Sequence, residues 1–300
     1  MSSLSFLLER TTMGNKLKAV VVGAVLGVAG AAFAQGTPTT PKADAKAPGK
    51  AAAGKAAAGK AAATAGKTEV TWWGHAAFVL KTPGGATIAI DPWFTNPKAP
   101  QGATWPEAVD AILVSHGHFD HVGETKALAQ KTSAKVYGSF ELVNLLGLPE
   151  AQSVGANAGG TFTVKDATIH LVEAVHSSSY QADPKAPSQY AGAPLGFVIE
   201  IANGPTLYHA GDTGAFQSMA LIAEQFKPTV ALLPIGGHFV MDPPQAAVAA
   251  KLLKAKTVVP MHYGTFPALA GTPDALTTEL KKTRATTKVL TLEPGKATAL

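Results

Sequence analysis

The sequence predicts a layered α/β (α+β) domain of about 230 residues, a size that one core can support. Three observations carry this. From Glu69 onward the chain breaks into short β-rich runs separated by turns. Helical patterns sit between the later runs. A hydrophobic fraction of 46% supplies the apolar surface for a large core.

Taken in order, EVTWWG, AAFVLK and ATIAID open the domain as consecutive strands of four to eight residues, and VDAILVSH follows after a turn-rich stretch. A helical pattern over 121–131 leads to the strand AKVYG, and a second over 139–147 precedes ATIHLVEAVH and LGFVIEIA. From there strand and helix alternate. PTLYHAGD is followed by a helix at 215–226, TVALLPIG by one at 243–255, and TVVPMH by one at 273–283, with KVLTL closing the chain.

The first 67 residues are different material. Residues 19–33, AVVVGAVLGVAGAAF, are small and apolar, follow Lys16 and Lys18, and run into Ala32-Phe33-Ala34. That layout predicts a secretory signal peptide over 1–34, cleaved after Ala34, with Met13 rather than Met1 as the natural start. The apolar run is shorter than the ~20 residues of a spanning helix, so no stable membrane insertion is expected after cleavage. Residues 35–67, with their KAAAG repeats, contain nothing large enough to bury and read as a tether. The folded part is therefore placed at 68–300, in a periplasmic or secreted protein. The chain has no cysteine, which excludes disulfides and a lipidated cysteine alike.

Charge follows the same division. Residues 1–67 carry nine Lys/Arg against two acids, so the formal +5 of the chain leaves a net −2 on residues 68–300. The basic balance belongs to the tail, and no nucleic-acid surface is expected on the domain.

The chemistry concentrates in VSHGHFDHVG, Val114 to Gly123, where His116, His118, Asp120 and His121 fall within six positions. A strand would put 116, 118 and 120 on one face and 121 on the other, and a helix would spread the four. Only a loop gathers them, with Gly117 and Gly123 giving the backbone freedom for turns. A flexible polar loop is the plain alternative, but it leaves three of the chain's nine histidines in six positions unexplained. His176, Asp212 and His262 finish three other strands. Ends of strands in layered α/β folds gather at one edge, where ligands bind.

His116-x-His118-x-Asp120-His121 resembles the HxHxDH signature of the metallo-β-lactamase-fold superfamily, and AVH176, GDT around Asp212 and PMHYG around His262 resemble its later ligand motifs, in order. TWWGHAAFVL, IDPWFTNP, EAVHSSS, HAGDTG, LLPIGGHFVM and VVPMHYGTFP resemble a bacterial subgroup of metal-dependent hydrolases, which is similar to ascorbate-6-phosphate lactonase and to phospholipase D-type enzymes. The resemblance spans about residues 68–295. It implies a four-layer αββα sandwich with two metals in a shallow cleft along one edge. His116, His118 and His176 would hold the first metal, Asp120, His121 and His262 the second, and Asp212 would bridge.

The donor chemistry agrees. Imidazole and carboxylate without thiolate suit zinc, with manganese or iron as alternatives. Two such ions share and activate a hydroxide that attacks an ester, lactone or phosphodiester, with Asp120 orienting it. Iron-redox members of the superfamily carry glutamate where this chain has His118, so hydrolysis is favoured over an iron-dependent oxidoreductase. A non-catalytic metal-dependent binding protein is the other rival. A small-molecule substrate is the expected partner, and the oligomeric state stays open.

Lesser candidates follow. His75 and His238 each follow a glycine in a loop and are read as catalytic or substrate-contacting residues, against turn histidines. His209 reads as a brace beside Asp212, and His170 as structural. Asp91 reads either as a support for ligand-bearing loops or as a turn cap. Trp93 is the tryptophan placed near the cleft. The polar stretch 177–194, with Tyr180 and Tyr190, is read as one wall of the substrate site.

Overall fold

The computed structural model describes residues 67–102, 104–283 and 285–300. The signal-peptide reading, and the linker reading up to residue 66, lie outside the described residues.

Alternation along the first strands dictates the layering. In β2 (Phe78–Lys81), Phe78 and Leu80 enter one apolar cluster while Val79 enters another. In β3 (Thr87–Ile90), Ile88 and Ile90 oppose Ala89, and in β4 (Ala111–Leu113), Ala111 and Leu113 oppose Ile112. Strands that bury both faces need a layer on each side. One side is covered by α2 (Thr125–Thr132) and α3 (Phe140–Leu145), through Leu128 and Leu142. The other side meets a second sheet, through Ile169 and Leu171 of β8 (Ala167–Glu173) and Phe197 and Ile199 of β11 (Leu195–Ile201). Beyond that sheet lie α4 (Met219–Phe226), α5 (Pro243–Leu253) and α6 (Pro273–Lys282), contributing Ile222, Ala250 and Leu276. The expected αββα sandwich is therefore the observed one.

Both sheets are mixed. The first adds β1 (Glu69–Trp72), β5 (Lys135–Ser139), β6 (Ser153–Ala156) and β16 (Ala297–Ala299), in the order β16-β1-β2-β3-β4-β5-β6, antiparallel as far as β3 and parallel from β3 to β6. The second adds β7 (Thr161–Val164), β12 (Thr206–His209), β13 (Val230–Pro234), β14 (Thr257–Met261) and β15 (Lys288–Val289), in the order β15-β14-β13-β12-β11-β8-β7, parallel from β15 to β12 and antiparallel beyond. A hairpin of β9 (Ser179–Tyr180) and β10 (Gln189–Tyr190) stands apart. Two reversals of direction bring β1 parallel to β3 and β8 parallel to β12. In each sheet the strands that precede site residues thus finish at the same edge.

Two local expectations need correction. The helix expected over 121–131 is broken into α1 (Phe119–Val122) and α2, because Gly123 adopts φ 38°. A Cβ there would stand 2.5 Å from Trp93 Cα, so the turn after β3 packs against bare backbone. Gly117, by contrast, is not in the left-handed region. It is required by close approach, since a Cβ would stand 2.8 Å from the Ser179 carbonyl oxygen. The strands β6, β7, β9, β10 and β16 were not anticipated. Among the described residues no helix is long and apolar enough to cross a membrane.

Candidate metal centre

The site begins with a buried carboxylate that is not itself at the centre. Asp91, directly after β3, accepts hydrogen bonds from Ser115 N and Ser115 Oγ, each at 2.7 Å, and from His121 Nδ1 at 2.8 Å. Because the Ser115 hydroxyl donates to Asp91, its oxygen is left to accept from His116 Nδ1 at 3.0 Å. In their neutral forms both imidazoles thus carry their proton on Nδ1 and present an Nε2 lone pair inward. Such outer partners orient ligand histidines and raise their basicity.

Those lone pairs meet Asp212. Its Oδ2 lies 3.1 Å from His262 Nε2, 3.2 Å from His121 Nε2, 3.6 Å from His176 Nε2 and 4.0 Å from His116 Nε2. His118 turns Nδ1 to within 2.9 Å of His116 Nε2. The donor atoms fall into three overlapping groups whose members lie within 4.8 Å of one another: His116, His118 and His176; His116, His121 and Asp212; and His75, Asp120, His121 and His262. All seven residues expected as ligands converge, and His75 joins the group of Asp120, His121 and His262.

The loops that carry them are tied together. Val175 N donates to Thr213 Oγ1 at 3.0 Å and Gly214 N to the Val175 carbonyl at 3.0 Å, which locks the His176 loop to the Asp212 loop. His262 N donates to the His75 carbonyl at 2.9 Å, joining the two sheets. His75, Asp91 and His262 all have positive φ, at 52°, 44° and 53°. Non-glycine residues in that region cost free energy, and such positions gather where a site must be held in one geometry.

His75 is fully buried. Its Nδ1 lies 2.6 Å from Thr265 Oγ1 and its Nε2 3.0 Å from Asp120 Oδ2. Burial pushes its pKa down to about 4 despite Asp120 alongside, so the neutral ring takes Thr265's proton as acceptor and donates Nε2–H to Asp120. Its place is behind Asp120 rather than at the substrate surface. His238 is exposed, has φ 59°, and packs edge-on against Phe239 at 4.3 Å, outside the clusters. His209 is buried, with Nε2 3.2 Å from the Ala76 carbonyl and Nδ1 accepting from Gly211 N, which positions the Asp212 loop. His170 lies away from the site, between Thr161 and Glu200.

Charge is distributed accordingly. Burial holds His116 well below the ordinary imidazole pKa and also lowers His118 and His176. Burial opposes a cation on His121 as well, yet Asp212 and Asp91 on either side hold its pKa well above the usual value. Burial likewise opposes the carboxylates, but His121 and His262 keep Asp212 well below its usual pKa, and the hydrogen bond from His75 lowers Asp120.

The donor set fits divalent cations. His121 Nε2, His262 Nε2 and Asp212 Oδ1 are buried without any hydrogen-bond partner. Leaving such atoms unmatched costs about 1–3 kcal/mol each, and cations remove that cost. Above them lies a cleft of about 780 Å³ walled by Phe119, Phe239, Phe266 and Pro267. An adjoining pocket of about 630 Å³, on the far side of His118 and Phe119, is lined by Lys126, Tyr180 and Asp183. Tyr180 is buried in that wall and Tyr190 is exposed. Trp93 reaches the cleft only through its neighbours, edge-on to His75 at 5.1 Å and to Phe119 at 5.6 Å. Sequence reasoning did not single out Ser115, Thr265, Phe119, Phe239 or Phe266. Phe119 alone gave a signal, an apolar residue inside a ligand motif.

Fold and site together define a hydrolase of the metallo-β-lactamase fold, and residues 69–262 match the beta-lactamase superfamily domain. The chain belongs to the UPF0173 metal-dependent hydrolase family. It is 72% identical over 288 residues to such a protein of Myxococcus xanthus, covering 96% of this chain and 99% of the relative. One from Anaeromyxobacter dehalogenans is 52% identical, covering 78% of this chain and 87% of the relative. Among solved structures, Igni18, a metallo hydrolase from the hyperthermophilic archaeon Ignicoccus hospitalis, is 36% identical with a TM-score of 0.68, covering 78% of this chain and 99% of that one.

Proposed function

We propose that this metal-dependent hydrolase cleaves an ester, lactone or phosphodiester with two divalent cations, zinc foremost and manganese or iron as alternatives. His116, His118 and His176 would hold one cation and Asp120, His121 and His262 the other, with Asp212 available to both. The observation that carries this reading is the single carboxylate oxygen, Asp212 Oδ2, within 4.0 Å of four imidazole Nε2 atoms. Bound there, the cations supply a polarised substrate oxygen and a water whose pKa falls toward ~7.

The chain's own residues do the rest. Asp91 and Ser115 hold two imidazoles in the tautomer that keeps Nε2 free. Thr265 fixes His75, and His75 fixes Asp120 by its Oδ2, which holds the carboxylate in place to orient the attacking water. An apolar substituent seated on the aromatic walls would displace bulk solvent, which strengthens each of these interactions.

Metal analysis of the purified chain is expected to give about two equivalents, redox-silent in air. Asp120→Asn, which keeps the shape but not the acceptor, should lower turnover of chromogenic esters, lactones or phosphodiesters by about 10²–10⁴-fold. A variant as active as the parent sinks this mechanism.

We further propose export to the periplasm or beyond, with cleavage after Ala34 and residues 35–67 as a tether. Amino-terminal sequencing of protein recovered from the cell envelope should begin at Gln35. A cytoplasmic, uncleaved chain overturns this.

A further inference from the structure

We infer that the substrate is a neutral ester or lactone bearing an apolar group, seated on the aromatic wall formed by Phe119, Phe239 and Phe266. The inference rests on the hydrolytic reading above and narrows it. Its first support is what the cleft presents. Phe119 is 69% exposed and Phe239 56% exposed, and both line the cleft over the metal centre. Large apolar side chains left in water at the mouth of a site mark a surface that becomes covered.

The wall is also preformed. Phe119 meets Trp93 edge-on at 5.6 Å, Trp93 stacks on Phe266 at 5.9 Å, and Phe119 reaches Phe266 at 6.5 Å. Opposite, Phe239 is held edge-on by His238 at 4.3 Å, in a turn closed by the Phe239 N to Gly237 carbonyl hydrogen bond at 2.7 Å. Rings fixed before binding lose little conformational freedom when a ligand arrives. This gives His238 a place in the site as the support of Phe239.

The second support is charge. Among the described residues that line this cleft there is no lysine or arginine, and its formal charges are those of Asp120 and Asp212. Recognition of phosphate oxygens ordinarily draws on Arg or Lys donors. Lys126 lines the adjoining pocket beyond Phe119, and Lys98 lines a separate one behind Phe266. Cationic side chains are thus kept off the aromatic arm, which fits an uncharged, apolar substituent and leaves a phosphodiester with the metals alone to hold it.

The test uses the full chain loaded with zinc. Calorimetric titration with n-alkyl hydroxamates from two to eight carbons is expected to show affinity rising about two- to fourfold per methylene. The double variant Phe119→Ser/Phe239→Ser, altered only at exposed positions, should flatten that dependence. In parallel, kcat/KM for p-nitrophenyl acetate through octanoate should rise with chain length and exceed that for a nucleoside p-nitrophenyl phosphodiester. Hydroxamate affinity independent of chain length, or a preferred diester, overturns the inference. Chain-length-dependent binding with no turnover of any ester, lactone or diester overturns the hydrolytic reading and leaves the apolar site standing.

Discussion

Asp91 shows how one residue outside the metal clusters can decide whether they work. Its two oxygens receive Ser115 N, Ser115 Oγ and His121 Nδ1, and through Ser115 it also sets the proton on His116. Asp91→Asn keeps the volume but offers one accepting oxygen and adds two donors, so at least one of these contacts is lost. Loss of an outer partner of this kind typically lowers metal affinity 10- to 100-fold. Competition against a chromogenic chelator should therefore show weaker binding in Asp91→Asn. Unchanged affinity for both equivalents would falsify this account of the tautomers. In the sequence, Asp91 is only an aspartate before a proline, as suited to a turn as to a brace. The distinction lies in β3 and β4 being parallel neighbours, a long-range pairing that no local pattern encodes.

At the scale of elements, the break between α1 and α2 is the point where sequence pattern and structure part. Apolar spacing reads through Gly123 as one helix, while the structure turns there with φ 38° and lets the Pro92–Trp93 backbone lie against it. The Gly123→Ala side chain would meet Trp93 Cα at 2.5 Å and the Pro92 carbonyl oxygen at 2.7 Å, neither of which is a flexible tip. A loss of at least ~2 kcal/mol in unfolding free energy is expected, from the φ cost and the clash together. Denaturant titration checks it, and a loss under about 0.5 kcal/mol, the range of an ordinary surface change, counts against it. The same comparison explains which elements were legible. The strands that precede His116, His176, Asp212 and His262, though only three to seven residues long, are apolar-rich or alternate apolar with polar residues and so declare themselves. The helices α5 and α6 begin at Asp242 and Thr272, whose side chains accept from Gln245 N and Ala275 N, with proline following each cap. By contrast β6 is Ser-Val-Gly-Ala and β16 Ala-Thr-Ala, too short and too small to stand out. Each exists because a distant strand, β5 or β1, supplies its partner.

Over the whole molecule, the metal centre is a clasp along one edge of a sandwich that has its own core. His116, His118, Asp120 and His121 follow β4 of the first sheet, while His176, Asp212 and His262 follow β8, β12 and β14 of the second. On the proposed two-cation reading, cations bound between them would join the sheets at that edge. Away from it, Phe78, Leu80, Ile88 and Ile90 of one sheet and Ile169, Leu171, Phe197 and Ile199 of the other are fully or almost fully buried in a shared apolar cluster. The core does not depend on the clasp, which separates this architecture from small metal-folded domains that unfold without their ion. Chelation should therefore lower the melting temperature without abolishing the fold. A ligand held at a thousandfold over its Kd adds about 4 kcal/mol per site. For a domain of this size each kcal/mol moves Tm by about 2–4 °C. Removing two ions is then expected to lower Tm by on the order of 15–30 °C, with far-UV circular dichroism retained at 25 °C. A chelated protein that loses its secondary structure at that temperature would show that the clasp, and not the inter-sheet core, holds the molecule together.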